Sequence, residues 1–226
     1  HFAAGASALG SPAAFFYTHS MNIAIIGAGA AGCFTAIEIK RRLPHTKVTV
    51  FEGGKKPLAK VAITGGGRCN LTNSFKEVSS IDSVYPRGAR LMKRLLKEFG
   101  NQDTCLWFEN EGVRLTTQPD QCVFPVSQDA MEIVNTLTSL MRKHDVKLKT
   151  GHKVTGIVYN EEEQENRYSL DIQTPTGSSV YHATHVVVTT GGSPKKEGLR
   201  IFDRLNLETI SPIPSLFSLC LPSHPI

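Results

Sequence analysis

The sequence predicts an α/β fold, in which a parallel sheet is joined to an antiparallel β-meander. Three observations predict it. A short apolar run, NIAII at 22–26, ends in a glycine-rich turn and is followed by a helical pattern and a second apolar run, the order of a βαβ unit. Between 153 and 183, three strand-like stretches alternate with turn sequences, as in a meander. A last β-branched run, HVVVTT at 185–190, then returns to buried-strand character.

In chain order, residues 22–26 read as a buried parallel strand ending at Gly27. Residues 30–42 read as a helix, with Ala30, Phe34, Ile37 and Ile39 apolar and Lys40, Arg41 and Arg42 at its negative end; Pro44 stops it. Residues 47–51 form the second strand, tipped by Glu52, and the crossover between the two is expected to be right-handed. Residues 53–86, rich in Gly, Lys, Asn and Ser, read as a long functional loop. Leu91, Met92, Leu95, Leu96 and Phe99 mark a helix, and Leu106, Trp107 and Phe108 a shorter one that Gly112 ends. Ser127 is placed to N-cap a helix whose stripe is Met131, Val134, Leu137, Leu140 and Met141, and the stripes at 91–99 and 131–141 are read as core faces. Strands follow at 146–150, 153–159, 167–173, 178–183 and 185–190, with a solvated acidic turn at 161–165.

The chain has 226 residues, 40% hydrophobic and 20% charged, which excludes a disordered or fibrous protein. Its net charge of +5 is carried by bases scattered through the middle rather than striped, which suits an anionic small ligand better than nucleic acid. Five cysteines form no CxxC pair, so a reducing compartment, the cytoplasm, is expected. No apolar run is long enough to span a bilayer. Residues 1–20 read as an extension outside the fold, with Met21 as the natural start.

GAGAAG at 27–32 is the first chemical motif. Gly27 permits a tight turn, Gly29 lets backbone approach a diphosphate, and Gly32 lets helix and strand pack closely. Ala30 and Ala31 open the helix, whose free N–H groups and positive dipole end suit phosphates. Glu52, at the tip of the next strand, is placed to accept hydrogen bonds from ribose hydroxyls; this favours FAD or NAD over NADP, with Lys55 and Lys56 nearby as a weak counter-signal. The second motif is KKPLAKVAITGGGRCNLTN, residues 55–73, three glycines followed by many hydrogen-bonding groups, without the Gly-Lys-Ser/Thr of a phosphate-binding Walker loop. Composition alone allows it to be either a ligand loop or a solvated turn.

Taken together, GAGAAG, VTVFE and ITGGGRCNLTN resemble the bacterial two-domain FAD-dependent oxidoreductases of the aminoacetone oxidase-like and bile-acid-reductase-like group. GVRL…CVFPVSQDA at 112–130, HVVVTTGGSP at 185–194 and a Pro-Ser-Leu at 214–216 continue the resemblance, which covers roughly residues 21–226. It implies a Rossmann-like FAD-binding domain over 21–210, with 53–144 inserted after the second strand, incomplete at the C-terminus where 211–226 leads into a second domain. It implies FAD held by Gly27, Gly29, Gly32 and Glu52, with Gly66, Gly67, Arg68, Cys69, Asn70 and Asn73 beside the flavin half. Backbone near Val154 would serve the adenine, and Thr190-Gly191 would pass close to the cofactor.

No catalytic acid or base can be named. Cys69 beside Arg68 reads more readily as a structural thiol than as a redox one. His182 and His185, three apart on strand-like sequence, face opposite sides, and no metal site is expected. The function expected is that of a flavin-dependent oxidoreductase acting on a small organic molecule, with NAD(P)H as a candidate electron donor and no nucleic-acid or membrane partner. The alternatives are an NAD-dependent dehydrogenase using the same turn, and a non-catalytic flavin-binding module.

Overall fold

A computed structural model describes residues 21–193 and 196–212. The extension expected at 1–20, the Pro-Ser-Leu at 214–216 and Pro194 of HVVVTTGGSP lie outside the described residues. The chain opens with β1 (Asn22–Ile26), α1 (Ala30–Arg42) and β2 (Lys47–Phe51). A 3-10 turn (Val61–Ile63), the single turn α2 (Thr64–Gly67), β3 (Thr72–Asn73), α3 (Ile81–Val84), α4 (Ala89–Glu98) and α5 (Asn101–Asn110) follow. Next come β4 (Leu115–Thr117), β5 (Cys122–Pro125), α6 (Ala130–Lys143), β6 (Lys147–Lys149), β7 (Lys153–Tyr159), β8 (Tyr168–Thr174), β9 (Gly177–Ala183) and β10 (His185–Val188).

A parallel sheet of order β10-β1-β2-β6 carries the fold, and β7-β8-β9 form the expected antiparallel meander. Alternation along β1 shows how the layers stack. Ile23 and Ile25 face one core with Val48 and Val50 of β2, Cys33, Ala36 and Ile37 of α1, and Ile133 and Leu137 of α6. Ala24 and Ile26 face a second core with Phe51 and the meander residues Ile157, Leu170 and Ile172. The result is three layers: helices, parallel sheet, meander. Each of these fully buried aliphatic side chains contributes about 1.5–3 kcal/mol, so slipping either strand by one residue would sacrifice both cores at once. Between sheet and meander, Tyr181 sets its ring edge-on to Phe51 at 4.9 Å and donates its hydroxyl to Asn22 Oδ1 at 2.8 Å.

Five details differ from the sequence reading. Among the described residues the last strand is an edge strand, half-buried rather than enclosed, because β1 alone flanks it there. Asp129, not Ser127, caps α6, accepting from Met131 N at 2.8 Å; Ser127 lies two residues upstream and its hydroxyl accepts from Asp129 N. Met131 is exposed, since the inward stripe begins at Ile133. The 91–99 stripe is no core face: Leu91 and Leu95 are 52% and 48% exposed and α4 buries no residue fully. The 53–86 region is also more ordered than a loop, since β3 pairs with β5 and β5 with β4 in a small antiparallel sheet. Arg41 fastens α5 to α1: its guanidinium pairs with Glu38 and Glu111 and lies 5.1 Å over the Trp107 ring.

Candidate dinucleotide site

The ends of three parallel strands meet at Gly27. Its N–H donates to Phe51 O at 2.8 Å, and Thr189 N donates to Ile26 O at 2.8 Å. The Thr189 hydroxyl sits 3.0 Å from Ile26 O and 2.9 Å from Gly27 O, locking the turn from the β10 side. Gly27 has φ +103, and a Cβ there would lie 2.6 Å from Thr189 O, so this glycine is required by the fold. At Gly32 a Cβ would collide with Gly27 O and lie 2.7 Å from Thr189 Oγ1, so this one is required by helix–strand packing. Gly29 is different. Its backbone is extended (φ −82, ψ −172), and a Cβ would meet nothing within 4 Å. The fold has no internal use for a glycine there; the open space above the turn is what an approaching diphosphate would need.

No side chain caps α1, and its first turn holds no acid. Ala30 and Ala31 are exposed. The first N–H groups of the helix have no intrahelical acceptors and no side-chain cap, an arrangement that suits an anion. Glu52 is half-buried at the tip of β2. Its Oε2 accepts from Ala28 N at 3.0 Å and its Oε1 from Gly54 N at 2.7 Å. The carboxylate therefore clips the glycine turn to the turn after β2. A carboxylate has about four acceptor sites, so two remain after these bonds. The start of β7 borders this point: His152 N donates to Glu52 O at 2.8 Å, and a Cβ at Gly53 would touch the Lys153 side chain at 3.4 Å. Val154, next along, is buried and paired with Ile172.

The glycine-rich loop takes an unusual path. Gly65, Gly66 and Gly67 have φ of 58, 68 and 83, and Cys69 is also left-handed at 61. Cys69 N returns to Thr64 O at 3.0 Å, closing the loop on itself. A Cβ at Gly66 or Gly67 would meet nothing, so the outer side of this loop is open as Gly29 is. Arg68 does not face the Cys69 thiol as an activating cation. It lies 4.4 Å over the Phe124 ring and donates to Gly65 O and Gln128 Oε1. Burial pushes the Cys69 thiol up, and burial together with the Glu52 charge pushes Cys33 up to about 12; both stay protonated at neutral pH. Asn70 Nδ2 reaches Cys122 Sγ at 3.3 Å, and Asn73 Oδ1 accepts from Phe75 N at 2.8 Å to form a turn.

Ala30 and Ala31, some 40 residues from Cys69 and Asn70, share with them the wall of one apolar cavity of about 380 Å³, completed by Phe34 and Trp107. The structure thus brings the glycine turn and the glycine-rich loop together, while Glu52, Val154 and Thr190-Gly191 lie at the ends of β2, β7 and β10. His182 and His185 sit on separate strands with separate partners, Ser169 and Thr184, and no metal-binding cluster occurs among the described residues. Sequence reasoning passed over Leu58 and Lys60. Leu58 is 1% exposed and its N–H donates to Ala28 O at 2.7 Å. Lys60 Nζ lies 4.0 Å from the position of a Cβ on Gly191. A leucine and a lysine in a lysine-rich loop carry no motif that marks them.

A parallel sheet, a glycine turn and a crossover helix on its first strand define a protein of the Rossmann class. Within it, residues 21–197 match the HI0933-like protein Rossmann domain, and the chain belongs to that family. It is 28% identical over 211 residues to a 3-dehydro-bile acid delta(4,6)-reductase of Clostridium scindens, covering 90% of this chain and 48% of the relative. It is also 28% identical over 204 residues to a ribosomal RNA dihydrouridine synthase of Haemophilus influenzae, covering 88% of this chain and 48% of that one. The chain therefore spans about half the length of the curated relatives it matches. A quinol fumarate reductase of Escherichia coli shares the fold, with a TM-score of 0.57 at 18% identity over 77% of this chain and 33% of that one. The family resemblance carried by GAGAAG and ITGGGRCNLTN, and the α/β fold class, are borne out. No helix among the described residues is long and apolar enough to cross a membrane.

Proposed function

We propose that this chain binds FAD as the Rossmann domain of a flavin-dependent oxidoreductase acting on a small organic substrate. The observation that carries the reading is the division among the three glycines: two serve the fold and Gly29 leaves open space beside free helix N–H groups. Gly27, Gly29, Ala30, Ala31 and Gly32 would hold the diphosphate, Glu52 the adenosine ribose, and the backbone near Val154 the adenine. Gly66, Gly67, Arg68, Cys69, Asn70 and Asn73 would border the flavin half, and Thr190-Gly191 would pass beside the cofactor. When bound, the isoalloxazine supplies the hydride chemistry, with NAD(P)H as the proposed donor; the chain's own residues bind, orient and desolvate it. Thiols at Cys33, Cys69, Cys105 and Cys122 are unpaired in the structure, which supports a reducing compartment, the cytoplasm.

The test is direct. Purified chain is denatured, and the released small molecule is identified by mass and absorption. The expected result is FAD with the two-band yellow spectrum of oxidised flavin, or uptake of added FAD by colourless protein. A chain that takes up NAD and leaves FAD free would make it a nicotinamide-dependent dehydrogenase instead.

A second reading of the substrate rests on α4. Arg90, Lys93, Arg94 and Lys97 line one exposed groove with Leu91, and only Lys93 has an acidic partner there among the described residues, Asp82 at 2.5 Å. With relatives named as ribosomal RNA dihydrouridine synthases, this clustered charge supports a base within folded RNA as the substrate, although the charge pattern of the whole sequence argued against nucleic acid. In filter binding to a ribosomal RNA fragment, the Arg90→Glu/Arg94→Glu variant is expected to lose about tenfold or more in affinity with a shallower salt dependence. Equal binding by both proteins removes this reading.

A further inference from the structure

We propose that Lys60 is a cofactor-binding residue whose ammonium group holds the diphosphate against the Thr190-Gly191 turn. This rests on the FAD reading above and adds to it a charged partner that the glycine turn itself lacks.

The backbone at Lys60 is fixed from both sides. Upstream, buried Leu58 is tethered through its N–H to Ala28 O, next to the open Gly29. Downstream, Lys60 O accepts from Ile63 N at 3.3 Å and from Thr64 N at 3.1 Å, starting the turn that leads into the glycine-rich loop. Held in this way, the side chain brings Nζ 4.0 Å from the Cβ position of Gly191. Gly191 is exposed, has φ +75, and follows by two residues Thr189, whose carbonyl packs against Gly27. The ammonium therefore stands beside the turn that follows β10, whose Thr189 packs against the glycine turn between β1 and α1.

Its charge is uncompensated. Lys60 has no ion pair or side-chain hydrogen bond among the described residues, and Glu52, the acid of this region, turns its two oxygens to Ala28 N and Gly54 N. A lysine whose backbone is pinned, whose head reaches a glycine turn and which meets no carboxylate is arranged for an anion that arrives from outside. A diphosphate lying over Gly29 presents that charge, with the α1 N–H groups on one side and Lys60 on the other.

Wild type, Lys60→Met and Lys60→Arg are titrated with FAD and with ADP, which shares the diphosphate and lacks the flavin, at low and physiological salt. Lys60→Met is expected to weaken both ligands about tenfold or more and to flatten the salt dependence, with Lys60→Arg recovering most of the loss. Unfolding midpoints without ligand are expected to agree among the three. Weaker FAD with unchanged ADP would place the ammonium on the flavin ring and overturn the assignment, as would unchanged affinity for both. If ADP alone binds and shows the Lys60 dependence, the flavin reading fails and the diphosphate contact stands. If neither ligand binds wild type, both fail.

Discussion

Gly29→Val is expected to abolish FAD binding while leaving the fold intact. The Gly29 backbone is extended and a Cβ meets nothing within 4 Å, so valine introduces neither strain nor a clash within the chain. The unfolding midpoint is expected to move by less than about 2 °C. The added methyl groups occupy the space above the first turn of α1, and affinity is expected to fall about 100-fold or more, beyond what one lost hydrogen bond explains. Gly32→Val is the control. There the side chain meets the Gly27 carbonyl and Thr189 Oγ1, and the midpoint is expected to drop by roughly 6–12 °C, the range for core overpacking of several kcal/mol in a domain of this size. Calorimetry and FAD titration on the same samples separate the two roles. Retained FAD affinity in a folded Gly29→Val chain would show that no diphosphate uses the space at Gly29 and would leave the turn a purely structural role through Gly27 and Gly32.

This separation was only partly legible in the sequence. The glycine spacing assigned a packing role to Gly32 and a turn to Gly27, and the contacts with Thr189 supply the partner that the motif could not name. β1 and β2 were readable as β-branched apolar runs on either side of a glycine turn and a helical pattern, the meander as strand-like stretches separated by turn sequences, and α6 by its apolar stripe at helical spacing. The small sheet of β3, β4 and β5 was not, since strands of two to four residues show no period. The α4 stripe misled for a different reason. Its Leu and Phe spacing is fully helical, but spacing tells which face is apolar and not whether anything covers it. The same limit applies to Lys60: its place depends on the Leu58–Ala28 tether, a contact across 30 residues of chain that composition does not encode.

Those differences bear on the site as a whole. Residues with backbone roles, the glycines and the helix N-terminus, were foreseeable because their geometry is local. Residues with side-chain roles shifted. Arg68 lies over an aromatic ring rather than beside Cys69, and Asn73 builds a turn. In the proposed site, the open, left-handed backbone of Gly66 and Gly67 is the part of this loop that side-chain truncation would not touch.

Glu52→Ala is expected to weaken FAD by about 1.5–3 kcal/mol, roughly 10–100-fold, the range for losing hydrogen bonds to a charged acceptor. Two mechanisms contribute and can be told apart. The carboxylate clips Ala28 N and Gly54 N, so its loss loosens the glycine turn. Its two remaining acceptor sites are proposed for the ribose hydroxyls. Comparing ADP with its 2′,3′-dideoxy analogue on wild type and on Glu52→Ala forms a double-mutant cycle in which one partner is the sugar. If the carboxylate reads the ribose, wild type discriminates strongly between the two nucleotides and Glu52→Ala hardly does. If it acts only as a clip, the substitution weakens both nucleotides by the same factor and the discrimination persists. Glu52→Gln sharpens the distinction further: an amide can accept one backbone N–H but must set its own NH₂ against the other, so it is expected to lose the clip on one side while still offering the ribose a partner.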